Sequence, residues 1–162
     1  MADSLSRSQR AEVMGRIKGR NTLPERTVRA IIRRFGVRPR LHVASLPGSP
    51  DIVIDSAKTV VFVHGCFWHR HSCARGRSRP ATRPAFWLAK FGNNVRRDRR
   101  ARRLLRMSGW SVVVVWECQA TPTNRLRLER RLLRLLLGRG AGDAATLPEH
   151  QTSVRRLALH CH

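Results

Sequence analysis

Two thiols and two imidazoles fall within eight consecutive residues, Cys66-Phe67-Trp68-His69-Arg70-His71-Ser72-Cys73. Zinc takes four such ligands tetrahedrally, so a loop that supplies three of them requires a fourth from elsewhere in the fold. Cys118 can supply it if the apolar run that it follows lies beside the run preceding the loop; Cys161, flanked by His160 and His162, is the competing ligand. Ordinary buried cysteines and a satisfied histidine are the plainer alternative, but this density of soft ligands favours a metal, with zinc first among metals. Spacing alone does not choose between His69 and His71 as the imidazole ligand. If Cys66, Cys73 and Cys118 all bind, His64, His69 and His71 cannot all join them, and at least one is free for acid–base or phosphate work.

Charge narrows the partner. Lys and Arg number 33 against 10 Asp and Glu, a formal net charge of +23 over 162 residues, with the excess running along the whole chain. A polyanion is the natural partner, although charge by itself does not separate DNA from RNA or a membrane surface. Nearly all the positive charge is guanidinium, which suits bidentate phosphate or guanine contacts, while a GC-rich codon bias explains the same excess more simply. No apolar run reaches the roughly 18 residues that mark a span, and the N-terminus has no signal-peptide core. The expectation is a bacterial cytoplasmic protein associated with the nucleoid, in which cysteines mean metal more often than disulfide.

The length predicts one domain, placed at residues 22–137, preceded by a basic arm over 1–21 and followed by a Gly-rich, loose tail over 138–162. Thr22-Leu23-Pro24-Glu25 reads as a helix start with Glu25 completing a capping box, and Val28, Ile31, Ile32 and Phe35 form the apolar face before Gly36. A short strand at 40–43, turn chemistry over 45–50, and β-branched runs at 51–55 and 59–63 predict a meander with Asp51 opening its second strand. Helices are predicted at 84–91 and 93–107, a strand at 110–116, and a last helix near 124–137. Together they predict an α/β domain with a mixed central sheet.

Asp51 and His64 then stand at neighbouring strand ends, where a carboxylate can hold magnesium against a phosphate. A lone Pro-Asp is ordinarily a turn; nearness to the metal loop in a polycationic chain makes Asp51 a candidate. Asp98 lies on the helical stripe of Val95, Ala101 and Leu105, so its carboxylate points inward and needs either a metal-loop histidine or a neighbouring arginine as partner. Glu25 is satisfied by its cap and can also face a metal-bound water. Phe67, Trp68 and Trp87 are rings in basic surroundings, suited either to core packing or to wedging into a base stack, whereas Trp110 and Trp116 read as core.

Four separated motifs in order, Leu46-Pro47-Gly48-Ser49-Pro50-Asp51, Phe62-Val63-His64-Gly65-Cys66-Phe67-Trp68-His69, Asn94-Val95-Arg96-Arg97-Asp98-Arg99-Arg100 and Val115-Trp116-Glu117-Cys118, resemble the very short patch repair (Vsr) endonucleases over roughly residues 5–137. The resemblance implies a restriction-endonuclease-like fold and nicking of the T-bearing strand, 5' to the T of a T:G mismatch in double-stranded DNA. It implies catalytic magnesium on Asp51 and the main-chain carbonyl of Val63, His69 acting on the attacking water, and His64, Asp98 and Glu25 in support. It assigns structural zinc to Cys66, His71, Cys73 and Cys118, and the intercalating wedge to Phe67, Trp68 and Trp87. Val63 departs from the hydroxyl residue expected there, and Arg70 and Ser72 interrupt a histidine run that is often longer. The chain is expected to act as a monomer, with mismatch-repair proteins left open as further partners. The rival readings are a non-catalytic zinc-containing nucleic-acid binder and a restriction-type nuclease that cuts both strands.

Overall fold

The computed structural model of the protein describes residues 19–137, so most of the basic arm, the tail after 137 and Cys161 lie outside the described residues. Helix α1 (Leu23–Arg34) begins where predicted: the Glu25 N–H donates to Thr22 Oγ1 at 3.4 Å, and the Thr22 hydroxyl donates back to Glu25 Oε1 at 2.9 Å. Three strands follow, β1 (Arg40–Leu41), β2 (Ile52–Ile54) and β3 (Thr59–His64), each antiparallel to the next. After a one-turn helix α2 (Ala74–Arg77) and the long helix α3 (Pro84–Met107), strand β4 (Ser111–Trp116) joins β3 in parallel. Two 3-10 turns, Glu117–Gln119 and Pro122–Asn124, lead into α4 (Arg125–Leu137). The sheet order is β1-β2-β3-β4, a mixed four-stranded sheet as expected.

Strand alternation divides the core between the two faces of this sheet. Ile52, Ile54, Val61, Val113 and Val115 pack with Val28, Ile31 and Ile32 of α1 and Leu128 and Leu132 of α4. Val53, Val60 and Phe62 pack on the other face against Leu105 of α3. The result is α/β with helices on both faces. Among the described residues no helix is long and apolar enough to cross a membrane.

The two helices expected at 84–91 and 93–107 are one continuous helix. The residue between them is Gly92, whose low helix propensity favours a break, but a single helical glycine costs only about 1 kcal/mol relative to alanine. Phe91 on one side of it is buried in an aromatic cluster, and Ala101 and Leu105 on the other side are buried against the core, so packing at both ends carries the helix through. The continuity matters for function, because α3 thereby presents Trp87, Asn94 and Asp98 from one rigid rod.

The turn before Asp51 is fixed by backbone need. Gly48 has φ +76°, and a Cβ there would meet Ala101 Cβ of α3 at 2.6 Å. A Gly48→Ala chain must therefore both strain its backbone and push α3 away. We expect a loss of about 1–3 kcal/mol in chemical denaturation, together with weaker cleavage because Asp51 follows directly.

Candidate active site and metal centre

The C-terminal end of β3 and the start of β2 meet at an open cleft of about 710 Å³, lined among others by Glu25, Asp51, His64, His69, Asp98 and Glu117. Antiparallel register puts Asp51 across from the end of β3, where the Val63 N–H donates to Asp51 Oδ2 at 2.7 Å. Burial pushes the Asp51 carboxyl up to about 6; the Val63 N–H opposes this and the neighbouring Glu25 carboxylate adds to it. Glu25 is itself buried at the helix start, where its Oε2 accepts the Asn21 N–H at 2.9 Å. Its cap and its place beside Asp51 thus coexist.

On the opposite wall, Asp98 of α3 reaches the metal loop as its inward stripe position demands. Its Oδ2 lies 2.5 Å from His69 Nδ1. Burial alone would raise the Asp98 carboxyl, but the hydrogen bond and charge of His69 outweigh it and hold the group below the usual carboxylate range. The ionised carboxylate accepts, so Nδ1 carries the proton and Nε2 keeps its lone pair. His64 stacks on His69 with ring centroids 3.9 Å apart and planes 13° from parallel. Burial, and secondarily His69, depress the His64 imidazole to about 4, so that it is neutral at physiological pH.

Behind the cleft, Cys66, His71, Cys73 and Cys118 offer ligand atoms that all lie within 4.8 Å of one another. Cys118 arrives because β4 lies parallel to β3, pairing Trp116 with His64 two residues before the thiol. His71 Nδ1 lies 3.5 Å from Cys118 Sγ and 3.9 Å from Cys66 Sγ. Zn–S bonds near 2.3 Å and Zn–N bonds near 2.0 Å in a tetrahedron give S···N edges of about 3.5 Å, so the donor set matches in type and in size. Burial pushes the Cys66 thiol up to about 12, while the His71 hydrogen bond draws Cys73 down to about 6. Crowded thiols in that condition cannot all ionise unless a cation joins them. The three cysteines are free of disulfides.

Phe67, Trp68 and Trp87 gather at the cleft rim, with centroids 5.1 Å apart for Phe67–Trp68, 5.7 Å for Phe67–Trp87 and 5.9 Å for Trp68–Trp87. All three are half-buried, and Lys90 Nζ sits 5.2 Å from the Trp68 ring centre. They are packed on one another, yet each keeps surface free for a base.

Residues 2–75 match the family described as DNA mismatch endonuclease Vsr. The type II nicking enzyme V.XorIIP of Xanthomonas oryzae is 43% identical over 136 residues, 84% of this chain and 98% of that protein. The DNA mismatch endonuclease Vsr of Escherichia coli is 42% identical over 144 residues, 87% of this chain and 92% of its own length. The type II nicking enzyme V.NmeAIP of Neisseria meningitidis is 40% identical over 136 residues, 84% of this chain and 95% of that protein. The chain belongs to the Vsr family.

It is accordingly an endodeoxyribonuclease, and the rival reading of a non-catalytic zinc-containing binder gives way. Three further residues shape this Vsr-family site beyond the candidates named from sequence; of these, Trp116 and Glu117 sit inside the Val115-Trp116-Glu117-Cys118 motif, and His42 lies in none. His42, at φ +48° just past β1, stands between Glu25 and Asp51. Glu117 accepts the Cys66 N–H at 3.3 Å and an Arg75 N–H at 2.7 Å, tying β4 to the metal loop. Trp116, read as core, is instead stacked on His71 at 4.5 Å and edge-on to His64 at 5.5 Å. Its register opposite His64 places it at the sheet's end, between the two clusters and beyond the core.

Proposed function

We propose that the chain nicks the T-bearing strand of a T:G mismatch on the 5' side of the T, with magnesium at Asp51 and structural zinc at Cys66, His71, Cys73 and Cys118. The observation that carries this reading is the convergence on one cleft of a buried carboxylate held by a main-chain N–H and a carboxylate-oriented imidazole, with an aromatic rim beside them. The cleft sets Arg97 and Arg102 beside Asp98, but among the described residues no lysine or arginine pairs with Glu25 or Asp51, and a cation there would let a phosphate approach these two carboxylates. Hard oxygen donors in such a setting suit magnesium, and the main-chain carbonyl of Val63 would be the second protein ligand. Bound there, magnesium would supply positive charge against the scissile phosphate and its leaving oxygen.

The protein's own groups account for the rest. Asp98 fixes the His69 tautomer, so Nε2 takes a proton from water as the water oxygen bonds to phosphorus. The bond from phosphorus to O3' breaks, leaving a 3'-hydroxyl and a 5'-phosphate. Because the stacked His64 is neutral, protonation of His69 meets no second full charge in the stack. Phe67, Trp68 and Trp87 would enter the base stack, and unstacking costs least at a mismatched pair, which makes the wedge a route to selectivity. Helices on both faces of the mixed sheet support a restriction-endonuclease-like class, and a monomer with one such site suits nicking over double-strand cleavage.

The test is a strand-resolved cleavage assay on end-labelled duplexes carrying one T:G pair in varied contexts. A magnesium-dependent nick beside the T, absent with EDTA and from matched DNA, is expected; equal cleavage of matched duplex or cutting of both strands would defeat the reading. An Asp98→Asn chain, which no longer imposes the tautomer, should nick about a hundredfold more slowly with mismatch affinity kept.

A further inference from the structure

His42 takes no part in the hydrolysis just described, yet it faces the carboxylates of both Glu25 and Asp51. Its Nε2 lies 3.6 Å from Glu25 Oε2 and its Nδ1 3.8 Å from Asp51 Oδ1. These separations are too long for hydrogen bonds, which close at about 2.7–3.2 Å. One ligand atom from each of Glu25, His42 and Asp51 nevertheless lies within 4.8 Å of the other two. Around a cation with bonds near 2.1 Å, adjacent ligands stand about 3 Å apart and opposite ones about 4 Å. The gap among the three groups is therefore of the size that a divalent cation fills.

Each group is held in place by contacts that leave this gap open. Glu25 is anchored by the Thr22 hydroxyl and the Asn21 N–H, both at 2.9 Å, and Asp51 by the Val63 N–H at 2.7 Å. The His42 N–H donates to the Asp51 carbonyl at 3.1 Å, which closes the β1–β2 ladder and fixes the ring's origin. Its left-handed backbone is one that a non-glycine residue adopts at some cost. The Glu25 side chain is only 8% exposed, and among the described residues no lysine or arginine pairs with it or with Asp51. A buried and a half-buried carboxylate so arranged call for positive charge.

We propose that Glu25, His42 and Asp51 form one divalent-cation site in which a His42 ring nitrogen is a direct ligand, giving the site a preference for manganese over magnesium. The proposal rests on the reading that Asp51 holds the catalytic cation. Magnesium favours an all-oxygen set and keeps its waters, whereas first-row transition ions accept imidazole nitrogen readily.

The test uses the zinc-loaded full chain and manganese as the probe, with free and bound ion counted by electron paramagnetic resonance and the bound ion examined for nitrogen-14 coupling by its pulsed form. His42→Asn is the informative variant, since asparagine tolerates the left-handed backbone; an unchanged far-ultraviolet circular dichroism spectrum checks its fold, and His42→Gln serves if it fails. Wild type should show nitrogen coupling that the variant lacks, with manganese affinity lowered about tenfold to a hundredfold and magnesium affinity lowered less. No coupling in wild type, or coupling that survives the loss of His42, would overturn the proposal. Asp51→Asn separates the two levels. If it loses manganese while His42→Asn does not, only the role of His42 falls; if it binds manganese as wild type does, the placement of the cation at Asp51 falls as well.

Discussion

Asp51→Asn should abolish nicking and, in metal-free protein, raise stability. Asparagine keeps the shape and can still accept the Val63 N–H that Asp51 Oδ2 accepts at 2.7 Å, so the β2–β3 pairing is retained. What disappears is the charge that would hold the cation, and the expected loss in rate is on the order of a thousandfold or more. Mismatch binding should hold or improve, since a negative charge beside the phosphate is gone. The stability change has the opposite sign. Burial, with the Glu25 carboxylate beside it, raises the folded Asp51 carboxyl to about 6, whereas the unfolded chain has the ordinary value near 4. The folded state thus binds more protons between those values, and the ionised group lowers stability at neutral pH by about 3 kcal/mol, recovered as pH falls from about 6 toward 4. Removing the charge should remove both the cost and this pH dependence, as read from urea unfolding in EDTA. A cation at the carboxylate competes with the same proton, so wild-type cleavage should fall as pH drops below about 6. A variant that is inactive and also less stable in EDTA would mean that Asp51 serves the fold, not the chemistry.

Local rules set the start of α1, because Thr22, Pro24 and Glu25 satisfy helix-end donors within a few residues. β-branched runs separated by turn residues set the meander, and the apolar runs before the metal loop and before Cys118 implied that these two strands are neighbours; that they pair in parallel is seen only in the fold. The inward face of Asp98 followed from its spacing to Ala101 and Leu105, although the identity of its partner did not. What stayed hidden depends on contacts between distant segments. His42 has no motif around it, and only the β1–β2 register and a left-handed backbone turn it toward Glu25. Trp116 looks like core because the strand that carries it is apolar; its position at the sheet's end, opposite His64, decides otherwise. The break expected near Gly92 failed for a similar reason, since packing at Phe91 and Leu105 outweighs the propensity of one glycine.

Cys118→Ser should remove the zinc and much of the stability at once. A structural zinc site contributes on the order of 10 kcal/mol, comparable with the roughly 5–15 kcal/mol by which a whole domain is stable. Of the four donors Cys118 is the one that would close the sheet onto the loop, since Cys66, His71 and Cys73 all come from one short segment. Without it, the loop is tied to β4 by Glu117, through the Cys66 N–H and Arg75, and by the stacking of Trp116 on His71. Such contacts, partly exposed, are worth about 1 kcal/mol apiece, a tenth of a metal site. Zinc content should therefore fall from one ion per chain to none, and Tm should drop by at least about 15 °C. Activity should fail even below that temperature, because the His69 N–H is held by the Gly65 carbonyl at 3.2 Å and the His71 N–H by the Cys66 carbonyl at 3.0 Å, so the turn that aims His69 is the turn that would carry the metal. Cys161→Ser is the matching control and should keep its zinc. Full zinc content and unchanged Tm in the Cys118 variant, with loss of both in the Cys161 variant, would transfer the fourth ligand to Cys161.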